Sequence, residues 1–121
     1  MHLFKFLPAG CTAASSFLGM TNWKIRDTDI TASSELDSNS SASNARLNNT
    51  KSWVADTNDT QPWIQVNLGK IMNIASISTQ GFPGSAFVSS FYFSYNVSEM
   101  EWLNYTIHGG LVKVIICKIT V

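Results

Sequence analysis

The sequence predicts an all-β domain, and three stretches carry that expectation. Trp63-Ile64-Gln65-Val66-Asn67-Leu68 alternates apolar and amide side chains, so Ile64, Val66 and Leu68 share one face of a strand. Val88 to Tyr95 uses the same period, with Phe91, Phe93 and Tyr95 on one face and Ser90, Tyr92 and Ser94 on the other. The final run, Leu111 to Val121, is rich in β-branched residues and strongly strand-forming. Apolar residues nowhere recur in helical heptads.

The 121 residues fit one domain with a real core and leave no room for a second. Eight basic side chains balance eight acidic ones, so bulk charge draws the chain to neither nucleic acid nor an anionic membrane. Ser, Thr and Asn are abundant and charges sparse, as on the surface of a secreted β-protein. Residues 1–10 are apolar, but Lys5 and Pro8 interrupt them. They read as an N-terminal tail or a weak signal-like segment. No run is long enough to cross a bilayer. Cys11 and Cys117 are candidates for one disulfide in an exported chain, although their spacing does not show that they meet.

Taken in order, residues 11–34 form a loop-rich entry with short edge strands around Ile25 and Ile30. Asp27 and Asp29 read as turn residues; together with Asp56 or Asp59 they are also weak candidates for calcium, in a chain without EF-hand spacing. Residues 35–50 are too polar for a buried element and form a long surface loop, where Leu36 is the one bulky apolar side chain before Ala45-Arg46-Leu47. Arg46 suits an ion pair or a carbonyl contact better than a ligand. Trp53, Trp63 and Trp102 read as packing residues. Gly69-Lys70 separates the first strand from a second run, Ile71 to Thr79. Gln80-Gly81-Phe82-Pro83-Gly84 is turn chemistry that either presents the Phe82 ring outward or folds it back. A short strand is expected from Trp102 to Ile107. Sequons occur at Asn39, Asn48, Asn58, Asn96 and Asn104, and carry meaning if the chain enters the secretory pathway.

Catalysis is not expected. Of the two histidines, His2 lies in the tail and His108 beside two glycines, and the cysteines lack zinc-site spacing. A phosphate-cradling glycine loop ahead of a helix is also missing.

Trp53-x-Ala55, Gln61-Pro62-Trp63-Ile64-Gln65-Val66-Asn67-Leu68-Gly69 and Ile77-Ser78-Thr79-Gln80-Gly81 occur in that order. Upstream stand Leu18-Gly19-Met20, Ile25-x-Asp27, Ile30-Thr31-Ala32-Ser33-Ser34 and Ala45-Arg46-Leu47-Asn48; downstream stand Val88-Ser89-Ser90-Phe91, Tyr95 and Trp102-x-x-Tyr105. So many matches in register resemble the discoidin domain, also called the coagulation factor V/VIII C-type domain, over residues 11–108.

The resemblance implies a jelly-roll-like β-sandwich, or distorted antiparallel barrel, whose ligand contacts come from loops at one end. Residues 109–121 diverge from the family, so its closing strands are expected to be missing. With them would go the terminal cysteine that usually pairs with the early one, leaving Cys11 unpaired or joined to Cys117. The implied ligand-binding loops carry Glu35, Leu36, Asp37 and Ser38, and Phe82, Pro83 and Ser85. Implied partners, outside the cell or at its surface, are glycans or glycoproteins, matrix proteins such as collagen, or phospholipid headgroups. Neither loop (35–44 or 82–87) holds a basic residue, which favours glycan or glycoprotein adhesion. Phospholipid binding would need exposed Leu36 and Phe82 beside a Lys or Arg. A fragment of a larger receptor or enzyme with no activity alone is the third reading. No cofactor is implied beyond possible calcium, and a glycan on Asn39 would shield the ligand end.

Overall fold

The computed structural model describes residues 2–3, 20–74, 77–82, 87–98, 101–105 and 112–120. Seven strands and two short 3-10 turns make up its regular structure: β1 (His2–Leu3), β2 (Ile30–Ala32), β3 (Trp63–Ile74), β4 (Thr79–Gln80), β5 (Tyr92–Asn96), β6 (Leu103–Asn104) and β7 (Val112–Thr120), with turns at Asp27–Asp29 and Ala42–Ala45. The protein is all-β. β1 pairs with β4, and the other strands form one sheet in the order β2-β3-β7-β5-β6.

Alternation in β3 works as the sequence predicts. Ile64 and Val66 are fully buried, and Leu68 packs against the same core with Met20, Ile25, Ile30, Trp53 and Phe93. Burying each aliphatic side chain contributes about 1.5–3 kcal/mol. On one side β2 pairs with β3, Ile30 opposite Val66 and Ala32 opposite Ile64. On the other lies β7, whose register sets Val66 opposite Cys117. The last run of the chain therefore occupies the middle of the sheet, since β7 also pairs with β5.

Gly69-Lys70 does not divide two strands. Trp63 to Ile74 is one strand of 12 residues, and the break appears as a register shift against β7 between Asn67 and Met72. Gly69 sits at φ +72°, where its N–H donates to Asn67 Oδ1 at 2.8 Å. An added Cβ would meet nothing within 4 Å, so the backbone conformation alone calls for glycine. Gly69→Ala is expected to lower stability by about 1–2 kcal/mol in urea denaturation.

β5 departs from simple alternation. Phe93 is buried, Tyr95 packs on the core and Tyr92 points to solvent, but Phe91 precedes the strand and is exposed. Ser94 is buried, and its hydroxyl donates to Asn104 Oδ1, its register partner on β6, at 2.7 Å. The strand expected from Trp102 to Ile107 is only Leu103–Asn104 within the described residues, and Trp102 is 41% exposed.

Candidate ligand-binding site

The loop after β2 is built by short-range hydrogen bonds. Glu35 Oε1 accepts the Ala42 N–H at 2.7 Å, Asp37 Oδ1 accepts the Asn39 N–H at 2.9 Å, and the Asp37 carbonyl accepts the Ser40 N–H at 3.0 Å. Two of the proposed contact residues, Glu35 and Asp37, thus shape the loop from within. Ser38 and Leu36 are exposed, Leu36 to 45%. The loop is tied to the segment before β3 where Leu36 N–H donates to the Val54 carbonyl and Val54 N–H to the Ser40 carbonyl.

This pairing creates a cleft of about 320 Å³, walled by Asn39, Ser40, Thr50, Lys51, Ser52, Val54 and Phe82. Phe82, 37% exposed, brings the second loop to the first. Leu36 does not wall the cleft, but its backbone is bonded to Val54, which does. Phe87, at the far end of the second loop, is among the most exposed rings. Pro83 and Ser85 lie outside the described residues, as do Cys11 and the Cys117 side chain.

A correction concerns charge. Neither loop contains a basic residue, yet the fold places Lys51 in the cleft, its Nζ donating to Asn39 Oδ1 at 2.9 Å. Its partner is a neutral amide, and among the described residues no carboxylate forms an ion pair with it. The residue was missed because it lies 12 positions beyond Asn39 in the chain and is brought back by backbone pairing.

The other predicted residues have structural employment. Arg46 is buried, its guanidinium donating to the Met20 carbonyl (3.0 Å), the Ile25 carbonyl (2.7 Å) and Asp27 Oδ1 (2.6 Å). Asp29 is bidentate with Arg26, whose guanidinium, chiefly by hydrogen bonding, holds that carboxyl below its usual range. Among the described residues no three acidic, histidine or cysteine side chains gather as a metal cage. Trp53 is buried and its indole N–H donates to the Ser34 carbonyl at 2.9 Å; Trp63 is half-buried. Of the sequons, Asn39, Asn48, Asn58 and Asn104 are exposed, whereas Asn96 is buried with its Oδ1 accepting the Ser98 N–H.

Ser33-Ser34 and Asp59 clasp the loop before β3 to the end of β2. Both hydroxyls donate to Asp59 Oδ2, at 2.5 and 2.6 Å, and these bonds, Ser33 first, lower the Asp59 pKa. A carboxylate depressed in the folded state stabilises above its unfolded pKa and loses that contribution as pH falls through the folded value. Asp59→Ala should therefore lower the melting temperature at neutral pH. The gap to the parent protein should close as the solution is acidified through the carboxylate range, which parallel thermal melts would read.

Comparison with known proteins bears on the whole arrangement. The F5/8 type C domain family matches residues 29–113. Coagulation factor VIII of Mus musculus is 37% identical over 116 residues, covering 87% of this chain and 5% of that protein. Coagulation factor V of Homo sapiens is 33% identical over 115 residues, covering 85% and 5%. Neuropilin-1 of Homo sapiens is 38% identical over 65 residues, covering 53% and 7%. The chain thus spans a small part of each relative, and the family match takes in the loop after β2, β3 and the clasp described above. The chain belongs to the F5/8 type C domain family.

Proposed function

We propose that this domain is a non-catalytic recognition module that seats its loop end on an anionic phospholipid surface, outside the cell or at its boundary. The observation that carries the reading is that one cleft holds both an aromatic ring on a loop tip and a cation. Leu36, Phe82 and Phe87 are exposed on two loops, and Lys51 shares the cleft with Phe82. A membrane interface rewards that combination, because apolar tips enter the acyl boundary while an ammonium meets headgroup charge. Sheet strands carry the loops and keep them in place.

Glycan or glycoprotein adhesion, including matrix proteins such as collagen, is the second reading. Asn39, Ser40, Thr50 and Ser52 give the cleft a polar wall suited to hydroxyls. Fold alone does not choose between these ligands.

Vesicle co-sedimentation decides between them. The chain is expected to pellet with phosphatidylserine-containing vesicles and to remain in the supernatant with pure phosphatidylcholine vesicles, with binding weakened by salt and by Lys51→Gln. Loss of one such cation is expected to weaken binding about fivefold, from ~1 kcal/mol per basic residue near an anionic surface. Absence of vesicle binding together with a positive glycan array would transfer the cleft to the second reading. Silence in both assays would leave recognition to a larger parent protein.

A further inference from the structure

β6 (Leu103–Asn104) ends the sheet order β2-β3-β7-β5-β6, and among the described residues no strand pairs with its outer side. Such an edge invites pairing with a second chain, and charged side chains, prolines or bulges ordinarily guard it. Trp102 to Ile107 holds no charge and no proline. The surface is apolar as well: Trp102, Leu103 and Tyr105 are exposed, and Tyr92 on the neighbouring β5 is 75% exposed. An unguarded apolar edge is an association hazard.

Asn104 stands among these side chains. It lies opposite Ser94 in the β5–β6 register, so Tyr92, two positions before Ser94, is its diagonal neighbour on the same face, within reach of a long side chain. Trp102 precedes it by two residues. Its amide is held at one end only. Oδ1 accepts the Ser94 hydroxyl at 2.7 Å, and among the described residues Nδ2 bonds to nothing. Asn104-Tyr105-Thr106 is a sequon, to which Thr106, outside the described residues, contributes through the sequence alone.

We propose that Asn104 carries an N-linked glycan that lies over β6 and closes this edge of the sheet to a second copy of the chain. The donor is a lipid-linked oligosaccharide diphosphate of the secretory pathway. The bond from Nδ2 to the first sugar's anomeric carbon forms, that carbon's bond to the diphosphate oxygen breaks, and the lipid diphosphate departs with the electron pair while Nδ2 gives up one proton. Oδ1 takes no part, so the Ser94 bond persists and restrains the amide that bears the first sugar. Its C–H face suits the Tyr92 and Trp102 rings, and its hydroxyls face water. A bulky hydrophilic group there does what a charge does on other edges. Asn96 is unsuited to the same chemistry in the folded chain, being buried with its Oδ1 bonded to the Ser98 N–H. The inference takes from the proposed function only its placement outside the cell.

The test uses the full 121-residue chain, secreted from a mammalian line behind a cleaved leader. Peptide:N-glycosidase F in heavy-oxygen water, followed by peptide mass spectrometry, maps occupancy. Asn104 should appear as labelled aspartate in most molecules, and an unmodified Asn104 overturns the proposal. Self-association is then read by light scattering after gel filtration. Thr106→Ala destroys the sequon while keeping Asn104 and its bond to Ser94. At micromolar concentration the glycosylated parent should be monomeric, and Thr106→Ala should about double in mean mass, as edge-to-edge pairing of two copies requires. Adding Leu103→Lys, a charge on the edge, should return Thr106→Ala to a monomer. A monomeric Thr106→Ala, or a dimer indifferent to Leu103→Lys, overturns the role given to the glycan. Parent chain made in bacteria without glycans, with and without Leu103→Lys, gives the same comparison if Thr106→Ala folds poorly. Every readout is taken without lipid, so failure here is distinct from failure of phosphatidylserine docking.

Discussion

Arg46→Ala is expected to destabilise the fold by about 3–5 kcal/mol, a large share of the total for a domain of this size. The side chain is 2% exposed and holds three groups of the 20–27 segment: the Met20 carbonyl, the Ile25 carbonyl and Asp27. Alanine would leave two carbonyls without their donor, withdraw the support under Trp23 and open a cavity beside the core. The Asp27 ion pair contributes the smaller part, because that carboxylate is 58% exposed and screened by water. Arg46→Lys should recover only part of the loss, since one ammonium cannot reproduce the planar fork that reaches the two carbonyls. Urea denaturation followed by tryptophan fluorescence reads both variants. A loss under about 1 kcal/mol for alanine would show that the carbonyls find other partners.

The double variant Leu36→Ser, Phe82→Ser should reduce affinity for phosphatidylserine vesicles by about a hundredfold or more. Each side chain contributes about 1.5–3 kcal/mol when fully buried in an apolar phase, so partial insertion of both reaches the ~2.7 kcal/mol of a hundredfold change. Stability should hardly move for Leu36→Ser, within about 0.5 kcal/mol, because that side chain already faces water. Phe82→Ser should lower it by about 1 kcal/mol, its ring being partly covered. Each single variant should show an intermediate affinity, and restoring Leu36 in the double variant should return its share. Unchanged vesicle binding in the double variant would remove the loop tips from the docking surface, and binding would then have to be sought on another face.

The legible part of the fold was the part governed by period and composition. Ile64 and Val66 are buried because alternate residues of a strand face one side, a fact of backbone geometry that needs no knowledge of neighbours. The loop after β2 was legible only in part: residues 35–39 are exposed as their polarity implies. The expectation that nothing in 35–50 is buried fails where the Ala42–Ala45 turn puts both alanines in the core and Arg46 is buried beside them, because small side chains fit a tight turn whatever their polar neighbours. Gly69-Lys70 was misread as a boundary because a bulge and a turn use the same residues, and only the partner strand shows which is present. Ser94 sits, as the alternation gives, on the face opposite Phe93 and Tyr95, but that it is buried and bonded to Asn104 could not be read from the period, which assigns a face and not its neighbours.

The sequence by itself determined the all-β class, the family and the core face of β3, and it named the two loops proposed for contact. Tertiary structure alone decided that Lys51 enters the cleft with Phe82, that β7 fills the centre of the sheet, and that Asn104 stands opposite Ser94 at the sheet's edge. Strand pattern depends on neighbours two positions away, whereas a binding surface depends on which distant residues the hydrogen-bonded pairings bring together. Lys51 reaches Asn39 because Leu36 and Ser40 are bonded to Val54.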